Sequence, residues 1–82
     1  MNDEAKAKVI AESYGATVAP LVIQGVTFDR SFTIKGEGVN LTAEFYEKTR
    51  DDDSECLMVA ICDENTGDFV FEGPFDDFKG AA

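Results

Sequence analysis

Apolar and polar residues alternate most cleanly between Val26 and Ile34. Val26, Phe28, Phe32 and Ile34 share one face with Arg30, while Thr27, Asp29, Ser31 and Thr33 share the other. A period of two predicts a half-buried strand. Arg30 is the exception on the apolar face, so its charge must either reach an edge or meet a carboxylate. Residues 35–38, Lys-Gly-Glu-Gly, predict a turn. Beyond it Val39, Leu41, Ala43 and Phe45 point inward on a second strand, with Asn40, Thr42, Glu44 and Tyr46 outward.

The run from Cys56 to Cys62 is apolar at every position, which predicts a central strand covered on both faces. Residues 63–67, Asp-Glu-Asn-Thr-Gly, supply a turn in which Gly67 is free to take positive φ. Phe69 and Phe71 then resume the alternation on a return strand, making residues 55–72 a hairpin. Upstream, residues 17–23 contain Pro20, which favours an edge strand or a strand start. Residues 2–14 are the one helical segment: Asn2 or Asp3 caps it, acids sit near its positive end and Gly15 closes it. Its apolar stripe is Val9, Ile10 and Tyr14 with Ala7 and Ala11. So short a helix is marginal in isolation and must dock, either on its own sheet or on a neighbouring subunit. Phe75 and Phe78 in the tail are candidate core or interface aromatics.

The expected architecture is therefore a single domain over residues 1–82, with a helix at 2–14 and antiparallel β-structure over 16–78. It is mainly β: a small antiparallel β-sandwich or open barrel of about five strands with a short N-terminal helix. Loops this short cannot join parallel strands. The apolar content of 44%, with 11% aromatic residues, excludes a disordered chain. A chain of 82 residues buries only about 60% of its unfolded surface, so partner contacts matter to it.

Charge changes this picture. Residues 1–50 carry seven acids and six bases, whereas residues 51–82 carry ten acids against Lys79 alone, so nearly all of the formal net charge of −10 lies in the last part. Such a surface repels nucleic acid and anionic membrane and attracts a basic protein. Asp51, Asp52, Asp53, Glu55, Asp63, Glu64, Asp68, Asp76 and Asp77 form the candidate partner-facing acidic surface. The early acids Asp3 and Glu4 are unlike the basic start of a signal peptide, and no apolar run approaches a membrane span, so a soluble product is expected.

Candidate chemistry is sparse. Without histidine the chain lacks the commonest general base and transition-metal ligand. The acids near residues 51–55 and 63–68 do not follow EF-hand spacing, and the glycines lack a phosphate-loop context. Ser13, Ser31 and Ser54 have no histidine partner. Cys56 and Cys62 fall on one apolar strand; six residues at about 3.3 Å hold them roughly 20 Å apart, too far for a disulfide. The expected reading is a non-enzymatic protein without metal or cofactor.

Residues 22–50 resemble small immunoglobulin-like β-sandwich modules of tailed-phage virion proteins. In that pattern a strand carries Gln-Gly, a variable residue and Thr-Phe, matched here by Gln24-Gly25 and Thr27-Phe28. Asn40-Leu41-Thr42-Ala43 stands where Asp-Leu-Thr-Gly is usual. The resemblance implies a structural role in a tail, baseplate or neck, assembled in the host cytoplasm, with contacts to other virion proteins and copies arranged in a ring. The alternative, motivated by the acidic last part, is a small nucleic-acid mimic that inhibits a host defence or transcription protein.

Overall fold

A computed structural model describes residues 2–78. The chain begins with helix α1 (Asp3–Ser13), followed by five strands: β1 (Thr17–Ile23), β2 (Val26–Gly36), β3 (Val39–Thr49), β4 (Glu55–Asp63) and β5 (Phe69–Pro74). A single 3-10 turn, Phe75–Asp77, follows β5.

The helix starts where the sequence places a cap. The Asn2 side chain accepts the Ala5 N–H at 2.8 Å, and Asp3 and Glu4 occupy the first turn. It stops at Gly15, whose φ of 65° is a left-handed exit, and the Ala16 N–H then bonds back to the Ala11 carbonyl at 2.9 Å. Ala7, Ile10 and Ala11 are buried and Tyr14 packs beside them. Those four follow the i, i+3, i+4, i+7 spacing of one helix face. Val9 falls off that face and is exposed, contrary to the stripe read from the sequence.

The strands form one antiparallel sheet in the order β1-β2-β3-β4-β5, each paired with its neighbours in sequence. Of the two expected arrangements, the sheet is the open one: β1 and β5 are edges, and its second layer is α1 with the C-terminal turn. Pro20 lies on edge strand β1, as its missing N–H requires, and a register shift follows it. Residues Gln24 and Gly25, which the virion-protein pattern places on a strand, instead form the two-residue turn between β1 and β2. Both have positive φ, 51° and 80°, the geometry that a tight hairpin with matched twist demands.

One face of the sheet carries the core. Phe32 and Ile34 of β2, Leu41, Ala43 and Phe45 of β3, and Val59 and Ile61 of β4 meet Ala7, Ile10 and Ala11 of the helix. Full burial of a large apolar side chain is worth about 1.5–3 kcal/mol, so Phe45, Ile10, Ile34, Ile61 and Val59 are the principal contributors. Phe32 meets Phe45 edge-on at 6.0 Å. At Gly36 the sheet comes so close to the helix exit that a Cβ would stand 3.1 Å from that of Ala16.

Three expectations are sharpened or corrected here. First, Phe75 and Phe78 are half-buried against the core: Phe75 packs on Phe45 at 6.1 Å and Phe78 on Phe71 at 5.5 Å. Secondly, a register shift between Ile61 and Cys62 pairs Phe71 with Ile61 but Phe69 with Cys62. The two phenylalanines therefore lie on opposite faces, and Phe69 is exposed. Thirdly, β4 has a helix over only one face. On the other, Met58, Ala60 and Cys62 are partly buried by their strand neighbours, and no second layer covers them among the described residues.

Val26 and Phe28 also depart from their expected inward position, at 58% and 44% exposure. The ladder to β3 begins only at Ser31, so Val26, Thr27 and Phe28 pair with β1 alone, and Asp29 and Arg30 fall in the register shift that follows. This end of the hairpin overhangs the sheet.

Candidate functional site

The overhang gathers the largest group of exposed apolar side chains. Ile23 pairs with Val26 and Leu21 with Phe28, so Ile23, Val26 and Phe28 share one face of a two-stranded ribbon, while Val22, paired with Thr27, is exposed on the other. Next to it lies an open cleft of about 390 Å³, lined by Pro20, Phe28 and Phe32 together with the acids Asp3, Glu4 and Asp29.

Arg30 stands where β2 parts from β3. Its Nε donates to Asp3 Oδ2 at 2.7 Å and its Nη1 to Glu47 Oε2, which ties the helix start, β2 and β3 together. Hydrogen bonds to Asp3 and then Glu47 hold the guanidinium pKa above its already high ordinary value. Of the two routes open to this charge, it takes the carboxylate partners. With the Arg30 side chain 39% exposed, the clamp serves geometry more than stability.

The candidate acidic surface divides into two. Asp51, Asp52 and Asp53 occupy the β3–β4 turn and Glu55 opens β4, all exposed. Asp76 and Asp77 lie in the 3-10 turn that follows Pro74, which pairs with Met58 in the same half of β4. Asp63, Glu64 and Asp68 cluster at the far end, about 26 Å along the strand at 3.3 Å per residue. The sequence-predicted acids are thus brought together as two groups and not as one surface. Lys79, the sole base of this part, lies outside the described residues.

Several of these acids are occupied locally. Asp52 Oδ1 accepts both the Ser54 hydroxyl at 2.6 Å and the Ser54 N–H at 3.0 Å, and these bonds lower its pKa. The backbone of Asp53 turns through a positive φ of 64°. At the far end Asp63 Oδ1 accepts the Asn65 N–H at 2.9 Å.

Cys56 and Cys62 are free thiols. Desolvation first, and then Glu64 and its acidic neighbours, push the Cys62 thiol up, which leaves it a poor nucleophile. Burial and the nearby Asp63 likewise raise Tyr14. Among the described residues, no three His, Cys, Asp or Glu side chains converge to hold a metal ion. No helix there is long and apolar enough to cross a membrane.

No protein family, curated protein or solved structure matches this chain. Sequence reading placed Val26 and Phe28 in the core and so missed the overhang. Its signal was present: Gln24-Gly25 sits between two apolar runs, and no residue from Ser13 to Phe28 is charged.

Proposed function

We propose that this chain is a non-enzymatic assembly component of a tailed-phage particle, in the tail, baseplate or neck, acting through contacts with other virion proteins and with copies of itself. The observation that carries the contact role is the exposed apolar overhang of the β1–β2 hairpin, since apolar residues grouped in this way favour a protein partner. The resemblance of residues 22–50 supplies the phage context and the ring of copies it implies. The two acidic groups suit basic neighbours, or the wall of a DNA-conducting lumen from which like charge keeps the genome free. The same charge opposes direct binding to nucleic acid or to an anionic membrane.

The inhibitor reading draws on the acidic last part of the chain. Its acids would have to imitate a continuous phosphate track, and their division between two ends of β4 supports that less well. Quantitative mass spectrometry of purified particles from the parent phage tests the proposal. Several copies per particle in fixed stoichiometry are expected. Absence from particles, with expression early in infection, would overturn the assembly role in favour of the inhibitor.

A further inference from the structure

We infer that β5 takes an extended, basic segment of a partner protein as a sixth strand, laid along its outer edge. This deepens the assembly reading, and rests on it for what the contact builds: it names the surface that meets a basic neighbour and the way the two join.

The backbone supplies the first half of the contact. β5 pairs with β4 on one side, and among the described residues no strand lies on the other. Every second residue of such an edge turns its N–H and C=O outward, where an added strand can bond them. Apolar side chains stand beside those groups: Phe69 is 62% exposed and Val70 46%. The opposite edge of the sheet is less suited. Pro20 takes a donor out of the middle of β1, and the register shift beside it interrupts the strand. In β5 the one proline is Pro74, its last residue.

Charge selects the occupant. From Asp51 to Phe78, a stretch that holds β4, β5 and the turn between them, there are ten acids and no base. Glu72 is exposed on the edge strand itself, and Asp68 is exposed just before it. Ala60 pairs with Glu72 on one side and Glu44 on the other, so two exposed carboxylates share one face across a small residue. A lysine or arginine opposite Glu72 on an added strand makes an opposite-charge cross-strand pair, and an apolar residue opposite Phe69 covers its ring. A second copy of this chain is the wrong occupant. Two β5 strands side by side set Asp68 and Glu72 against their own kind, and β1 carries no charge to offer Glu72. A basic partner is instead drawn in over distance by the net charge of −10.

An NMR titration of the whole chain provides the test. The probe is a peptide of about ten residues in which lysine and valine alternate, and the control replaces each lysine by glutamate. Binding of the lysine peptide should shift the amides of residues 69–73 most and slow their hydrogen exchange, and it should weaken severalfold as salt rises from about 0.05 M to about 0.5 M. Glu72→Lys should weaken it severalfold, whereas Asp51→Asn with Asp53→Asn, in the β3–β4 turn, should leave it nearly unchanged. Unchanged thermal unfolding would show that the Glu72 variant folds; if its midpoint falls, Glu72→Gln takes its place. Shifts spread evenly over both acidic groups, with no added protection in β5, would overturn the inference in favour of diffuse charge attraction. Absence of binding, or equal binding of the glutamate peptide, would overturn it too. None of these results alters the copy number in purified particles, so the assembly reading stands or falls separately.

Discussion

The two halves of β2 have the same alternation and opposite fates. Phe32 and Ile34 are buried, at 6% and 0% exposure, whereas Val26 and Phe28 on the same strand are among the most exposed apolar residues of the chain. Nothing in the side chains themselves distinguishes them. The difference lies in the neighbours: the first half has lost β3 and lies beyond the packed face of the helix, while the second has strands on both sides and Ile10 above it. Alternation reports which residues share a face. Whether the face is covered depends on the other elements.

Phenylalanine truncation should break the comparison most sharply if it is wrong. Phe32→Ala is expected to cost about 3–5 kcal/mol in denaturant unfolding, because it empties a packed site between Phe45 and the helix. Phe28→Ala should cost less than about 1 kcal/mol, as a partly exposed site does. Equal losses would show that both halves belong to one core. Asn2→Ala acts on the cover of the buried half by removing the cap that accepts the Ala5 N–H, and about 1 kcal/mol should be lost in thermal unfolding. Arg30 stands at the boundary of the halves. Arg30→Gln should cost below about 1 kcal/mol, and the difference from wild type should shrink as salt is added, since the pair is partly exposed.

The smallest effect belongs to neither half. The Asp52 carboxyl is held below the ordinary carboxylate range by its bonds to Ser54. Its contribution to the β3–β4 turn is therefore present above the unfolded carboxylate pKa and is lost as pH falls through the lower folded value. An NMR titration should find the Ser54 amide shifting with that midpoint, and Ser54→Ala should return Asp52 toward the ordinary range. An Asp52 midpoint indistinguishable from those of its neighbours would show that the turn bonds do not persist in solution.

Local signals in the sequence were sufficient for the elements. The helix cap at Asn2, its end at Gly15, the turn glycines Gly38 and Gly67 and the edge position of Pro20 each act within a few residues, and the structure places all of them as expected. The inward set Leu41, Ala43 and Phe45 was equally legible, because β3 has a strand on each side where its inner face meets the core. What could not be read was relative length. The early departure of β3 from β2, the skipped residue Val70 and the reach of the helix are agreements between distant segments, and no window of alternation contains them. The division of the nine candidate acids into two groups was hidden for a related reason, since it is the length of β4 that separates them.

The order of strands in the sheet carries a kinetic consequence. Every strand pairs with the strand made just before or just after it, and the helix packs chiefly on the two that follow it. Low contact order means that little chain entropy is spent closing long loops before contacts form, so folding should be fast for a β protein. Each hairpin can zip as soon as its second strand is available. A chain leaving the ribosome has no need to hold an early strand unpaired while it waits for a late one, which limits the time that unpaired edges are open to aggregation.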